Sequence, residues 1–141
     1  MKSWAGLMGL LAFSSAALAV DYKEGWTAEV FYNELATCRT AIVFPAVKAY
    51  MDRKAAKVSA EKLRSDVISI LPALEHPALT ACYCMVNEAA KAQDYKSYAG
   101  DFTSRMRILK EKLDGPACNA KFQAAAAELD SKEAIEAMSL K

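Results

Sequence analysis

Residues 77–90, PALTACYCMVNEAA, decide the fold, because they place Cys82 and Cys84 two positions apart within one helical pattern. Pro77 suits the first turn of a helix, where the N–H that proline lacks has no partner to lose. Apolar residues then recur at three- and four-residue steps: Leu79, Cys82, Val86 and Ala90. Each helical residue turns about 100°, so residues two apart point about 200° away from each other. Cys82 and Cys84 should therefore leave opposite sides of this helix and not bond each other.

Two further cysteines, Cys38 and Cys118, flank this helix at a distance in the sequence. An even number of cysteines in an exported chain favours disulfides. One of Cys82 and Cys84 should then join Cys38 and the other Cys118, which clamps the central helix between two neighbours. Both pairings stay open at this point.

The residues before this helix predict two more helices. Thr27 is a good cap for the first, whose apolar stripe runs from Phe31 onward until Pro45 kinks the helix or ends it near Phe44. Ser59 caps a second helix that ends at Pro72. We expect Pro72 and Pro77 to bracket a connection between this helix and the central one.

The residues after the central helix predict a fourth helix, capped by Asp94 and carrying the most regular helical period in the chain. Gly100 interrupts it and can move its true start to Asp101. Asp114-Gly115-Pro116 ends that helix and begins a fifth, which holds Cys118. Ser131 caps a short last helix.

These patterns predict an all-α protein, an antiparallel bundle of four to five helices stapled by two disulfides. Residues 20–141 form a single helical domain, since 122 residues suffice for one compact unit. Residues 1–19 read as a cleaved signal peptide. Lys2 precedes a short apolar run, and Ala17-Leu18-Ala19 has the small-x-small pattern of a cleavage site.

Composition limits the partners of this chain. The full sequence has 18 basic and 17 acidic residues, and loss of Lys2 with the leader leaves 17 of each. This neutral balance does not favour nucleic-acid binding. We expect no membrane span after the leader, because no second apolar run approaches the required length. The periplasm is the favoured compartment, with release to the medium second.

Reactive chemistry is weakly indicated. Cys82 and Cys84 could bind a soft metal together with His76, or act in thiol redox, but their spacing is not that of a zinc pair or of the C-x-x-C redox motif. His76 is the only histidine and is expected in a turn before Pro77. No catalytic constellation is evident, so we expect a non-enzymatic protein without a cofactor.

Aromatic residues offer the best candidate binding surface. Trp26, Tyr32 and Tyr83 lie beside the predicted apolar stripes, where amphipathic aromatics commonly contribute to protein–protein contacts. The first hypothesis is an exported binding protein with an unidentified protein partner: an inhibitor, an immunity-type neutraliser or an accessory component of an envelope complex. The second is carriage of a small apolar ligand or lipid between helices, with Met85, Met106 and Met138 as lining. The third is metal or redox handling through Cys82 and Cys84.

Overall fold

The computed structural model describes residues 21–139, which form six helices joined by short connections. The helices are α1 (Ala28–Lys54), α2 (Ala60–Ala92), α3 (Tyr95–Tyr98), α4 (Phe102–Asp114), α5 (Pro116–Ala127) and α6 (Lys132–Met138). The predicted all-α bundle with two disulfides is confirmed. The proposed signal peptide, residues 1–19, lies outside the described residues.

Side-chain caps explain where most helices begin. The caps predicted at Thr27, Ser59, Asp94 and Ser131 are confirmed, and each side chain accepts a hydrogen bond from the backbone N–H three residues later. The donor–acceptor distances lie between 2.8 and 3.2 Å. Such a cap stabilises a helix by about 1 kcal/mol, because it satisfies one of the N–H groups that have no partner within the helix.

The prolines do not end helices as the sequence indicated. Pro72 and Pro77 both lie inside α2, so the predicted second and third helices are one helix of 33 residues. Helix α1 likewise continues through Pro45 to Lys54, so an end near Phe44 is wrong. An interior proline costs about 3 kcal/mol. Here burial along α2 offsets that cost, since residues on both sides of the prolines are fully enclosed: Ile70, Leu74, Ala78 and Ala81.

The predicted fourth helix is divided in two. Asp94 caps α3, which is a single turn, and Asp101 caps α4, the later of the two starts that the sequence allowed. Gly100 lies in the break between them. Two aspartate caps seven residues apart each begin a new helix, because a cap satisfies N–H groups best at a helix start.

Helix α2 occupies the centre of the bundle and packs against α1, α4, α5 and α6. Helices α1 and α2 form an antiparallel hairpin across a short turn. One core cluster surrounds Trp26, Phe31, Tyr98 and the four cysteines. A second lies toward the hairpin turn and consists of aliphatic and small residues around Tyr50.

By length and composition, α2 is the one helix within residues 21–139 that could cross a membrane. An 18-residue window in it reaches a mean hydropathy of 1.2, so the premise that no later apolar run has the required length was wrong, and the absence of a membrane span stays a prediction. The central helix of a bundle has the same composition. Because α2 contacts four other helices and carries two disulfides, the finding is weak evidence for a span.

Candidate interaction surface

The two disulfides hold α2 between its neighbours. Cys38 of α1 bonds Cys82, and Cys84 bonds Cys118 of α5, with Cα–Cα distances of 5.8 and 5.5 Å. The pairing that the sequence left open is thus settled. The opposite directions predicted for Cys82 and Cys84 are confirmed, since their bonds reach helices on different sides of α2. All four cysteines are buried.

The structure offers no thiolate for metal or redox chemistry, because all four cysteines are disulfide-bonded. Within residues 21–139, no group of three or more His, Cys, Asp and Glu side chains could hold a metal ion. His76 lies inside α2 and not in the expected turn, and its Nε2 is 3.3 Å from the Glu128 carboxylate. Both side chains are largely exposed, so no enclosed cleft surrounds this pair.

Trp26 is a core residue and is not available to a partner. Its side chain is 8% exposed and its indole N–H donates a 3.0 Å hydrogen bond to the carbonyl of Gln93. Its ring centroid lies 5.1 Å from that of Tyr95 and 4.9 Å from that of Tyr98. The prediction that Trp26 belongs to the partner surface was therefore wrong. The indole anchors the chain before α1 to the end of α2.

Tyr32 and Tyr83 are exposed and lie on either side of one buried ring. They are 69% and 54% exposed. The Phe31 ring centroid is 6.3 Å from that of Tyr32 and 5.6 Å from that of Tyr83, in edge-to-face arrangements. Two of the three predicted surface aromatics are thus brought together across the α1–α2 contact. Their role in binding stays a prediction.

The outer side of the α1–α2 hairpin exposes further large apolar residues. We call this surface the open face and define it by seven side chains: Tyr32, Phe44 and Met51 of α1, with Ile68, Leu71, Leu79 and Tyr83 of α2. Nine large apolar side chains are exposed among the described residues, and only Phe102 and Ile135 lie elsewhere. The exposed apolar residues are therefore concentrated on one side of the bundle.

Three separate depressions on the open face are each lined by two of its members. Leu79 and Tyr83 line one depression, which borders Lys121 of α5. Leu71 and Phe44 line a second, together with Val43 and Val47. Met51 and Ile68 line a third near the hairpin turn. From Tyr32 to Met51 the surface extends about 28 Å along α1, at 1.5 Å per residue.

Sequence reasoning missed five of the seven open-face residues, and it had assigned one of these five, Leu79, to the buried stripe. Leu79 was placed on the buried stripe, yet it is 43% exposed. The reason is that α2 has neighbours on several sides, so one apolar stripe cannot show which of its members remains uncovered. Leu79 and Tyr83 are four residues apart, as helix neighbours on one side should be. From that spacing the sequence could have predicted that Leu79 lies on the same exposed side of the helix as Tyr83.

An ion pair lies near the middle of the open face. Arg39 of α1 donates two hydrogen bonds to the Glu75 carboxylate of α2, and Arg39 also lines the depression beside Leu71. The hydrogen bonds from Arg39 lower the pKa of Glu75, and Glu75 in turn raises the pKa of Arg39. Both side chains are partly exposed. The centre of the face therefore carries one positive and one negative charge.

Beside the open face, a groove runs between α1 and α4. Its volume is about 740 Å³, and its lining consists of Ala36, Thr37, Thr40, Ala41, Phe44, Pro45, Phe102 and Met106. The hydroxyls of Thr37 and Thr40 donate to backbone carbonyls one turn earlier, at 3.0 and 2.9 Å. Neither hydroxyl therefore needs a partner from outside. The groove is apolar and shares Phe44 with the open face.

A buried carboxylate fixes the inner side of α1. Glu34 accepts hydrogen bonds from the hydroxyls of Tyr95 and Tyr98, both at 3.2 Å, and from Arg105 at 2.8 Å. Burial raises the pKa of Tyr98, and the nearby Glu34 raises it further. The arrangement joins α1 to α3 and α4 and uses both carboxylate oxygens. Glu34 itself is buried, and its contacts join α1 and α4, the two helices that line the groove.

Comparison with protein-family models, curated proteins and solved structures found no match.

Proposed function

We propose that this chain is an exported, non-enzymatic binding protein that contacts a protein partner through the open face. An inhibitor, an immunity-type neutraliser and an accessory component of an envelope complex are the forms this function would take. One observation carries the proposal: seven of the nine large apolar side chains exposed among the described residues lie on the two helices of one hairpin.

The area of this surface fits a protein partner. The exposed fractions of its side chains correspond to roughly 700 Å² of accessible surface, with an aromatic side chain counted at about 150–250 Å². The largest apolar patch on a typical monomer is about 300–600 Å² and is often functional. One partner in a standard interface contributes about 800 Å². The open face is thus large enough to be the core of an interface.

The scaffold keeps this surface rigid. The Cys38–Cys82 disulfide ties together the two helices that carry the open face, and Cys84–Cys118 ties α2 to α5. Tyr32 and Tyr83 are held against the buried Phe31 ring. A preorganised surface loses less conformational entropy on association, so more of the contact energy contributes to affinity.

The disulfides also support the compartment. Buried disulfides are typical of oxidising, exported environments and rare in the reducing cytosol. Within that class we propose the periplasm first and the extracellular medium second. Residues 1–19 also support export, because a charged start, a short apolar run and a small-x-small cleavage site are typical of a signal peptide.

Site-specific photo-crosslinking tests the proposed surface. A benzophenone amino acid at position 32 or 83 should yield a protein adduct of defined mass in the producing cell, because both side chains are exposed on the open face. The same group at Gln123, exposed on α5, is the control and should not give that adduct. Absence of protein adducts at both tyrosine positions, or the same adducts at Gln123, would contradict the proposal.

A second candidate function is binding of a small apolar ligand in the groove. Its volume lies within the 300–1,000 Å³ of typical ligand sites, and its lining is apolar. Only Met106 of the three methionines expected to line a cavity lies there. Met85 is buried in the first core cluster, and Met138 packs against the second.

Native mass spectrometry separates the two functions. Gently purified protein should carry bound apolar material, which Phe102→Ser should release because Phe102 forms one wall of the groove. Ile135→Ser is the matched control, since Ile135 is similarly exposed (47% against 53%) but lies on α6. A purified chain that shows only its own mass, or equal ligand loss in both variants, counts against ligand carriage.

A further inference from the structure

We infer that the partner at the open face is a second copy of this chain, related to the first by a two-fold axis. The inference rests on the proposed function, namely that this face binds protein, and names the partner. Two copies would pack their α1–α2 hairpins against each other, with Tyr32 and Tyr83 toward one end of the interface and Met51 and Ile68 toward the other.

The area of the open face matches what a dimer needs. In an isologous interface each copy contributes the same patch, so the roughly 700 Å² on one chain meets an equal area on the other. Association would cover seven of the nine large apolar side chains that are exposed among the described residues. The other two large apolar side chains exposed among the described residues do not form a second set, since Phe102 lines the groove beside Phe44 and Ile135 lies on α6.

The charges on the open face complement those of an identical copy. Arg39 and Glu75 sit near its centre as one positive and one negative group. A two-fold axis between them places Arg39 of each copy beside Glu75 of the other, so opposite charges face each other at both contacts. Arg64 and Lys121 border the depressions toward the two ends of the face, so the self-complementarity rests on the central Arg39 and Glu75.

Each chain would keep the bundle described above and gain shared ion pairs. The guanidinium of Arg39 has five N–H groups, so it can donate to its own Glu75 and to that of the second copy. Four alternating charges then lie within the apolar interface. Phe44, Leu71 and Leu79 would surround them and exclude water, which strengthens each pair.

Charge reversal tests this arrangement. Wild-type protein should be dimeric in sedimentation equilibrium, whereas Arg39→Glu and Glu75→Arg should each raise the dimer dissociation constant by at least about tenfold. Like charges would then face each other in each variant. An equimolar mixture should form a heterodimer, because one variant carries two carboxylates where the other carries two guanidiniums. Native mass spectrometry with one isotope-labelled variant identifies that species.

The controls separate assembly from folding. Lys110→Glu reverses a charge in an exposed ion pair on α4 and should leave the dimer unchanged. Circular dichroism must show intact helix content in every variant. Should a charge variant not fold, Leu79→Asp provides the same test, with Ile135→Asp as its control at similar exposure (43% against 47%).

The outcomes distinguish this inference from the proposed function. A wild-type monomer at the highest attainable concentration overturns the dimer, and so does a dimer that neither charge reversal weakens. A mixture without heterodimer overturns the two-fold arrangement. If a different protein is then crosslinked at position 83, the proposed function stands without the dimer. If nothing is crosslinked there, both fail.

Discussion

The two ends of the bundle are held together by different means. At one end, both disulfides pass through a cluster rich in aromatic rings, with Trp26, Phe31 and Tyr98 around them. At the other end, the cluster contains no cysteine and relies on close contact between small residues. Alanines with no exposed surface lie on all three helices that meet there: Ala46, Ala78, Ala134 and Ala137.

This difference shows two routes to a rigid surface. The two disulfides lie at the end of the bundle whose core contains the large aromatic rings. Small side chains allow α6 to approach α1 and α2 at the other end, where Lys54 and Glu136 form an ion pair of 2.8 Å. The open face extends over both ends, from Tyr32 and Tyr83 to Met51 and Ile68. Both kinds of support therefore lie beneath the open face.

We call the end of the bundle that contains both disulfides the stapled end, and the end around Tyr50 the packed end. The largest expected effect comes from removing a disulfide at the stapled end. Replacing Cys84 and Cys118 together by alanine should lower the free energy of unfolding by about 4 kcal/mol, since the bond closes a loop across 34 sequence positions. Urea denaturation of the variant and the wild type gives the difference. The unaltered protein should show no reactive thiol when denatured without reductant. An unchanged urea midpoint, or two reactive thiols per chain, contradicts this assignment.

A slightly smaller effect is expected at the packed end. Leu74→Ala should cost about 3 kcal/mol, because Leu74 is completely buried and its removal leaves a cavity. Leu71→Ala removes the same side chain three residues earlier on the same helix, where it is 40% exposed, and should cost less than about 1 kcal/mol. Urea midpoints of the two variants measure the contrast. Equal losses would mean that the packed end is not tightly filled.

Local patterns in the sequence predicted most of the fold. The caps at Thr27, Ser59 and Ser131 depend on side chains and backbone a few residues apart, so they can be read without knowledge of the tertiary structure. The directions of Cys82 and Cys84 followed from helical geometry alone. The choice between the two disulfide pairings depends on which helix lies on which side of α2. That is a tertiary property, which no local pattern contains.

The errors came from residues whose state is decided by distant contacts. Pro72 and Pro77 favour a break locally, but the buried residues around them keep α2 continuous. Trp26 was expected at the surface, yet its partners Gln93 and Tyr98 lie about 70 positions away. The open face was missed for the same reason. An apolar helix surface is exposed only if no other helix packs on it. The apolar pattern of a single helix does not show which other helices lie beside it.

The smallest effect concerns the charge that stabilises the packed end. Asp66 accepts hydrogen bonds from Lys62 and, at 3.1 Å, from the Tyr50 hydroxyl. The hydrogen bond from Lys62 is the main cause that lowers the pKa of Asp66 below its ordinary value of 3.8. A carboxylate whose pKa is depressed by folding stabilises the protein above the unfolded value, and this contribution is lost as the pH falls through the folded one.

Asp66→Asn should therefore be less stable than the wild type at neutral pH, and the two urea midpoints should converge as the pH falls below 3.8. The amide oxygen can still accept from Tyr50, so the difference reports the charge and not the loss of that hydrogen bond. Lys48→Gln, which disrupts an exposed pair on α1, is the control and should show no such convergence. A gap between Asp66→Asn and the wild type that stays constant with pH would assign the role of Asp66 to packing. The packed end would then be stabilised by side-chain packing without a contribution from this charge, whereas the stapled end depends on covalent bonds.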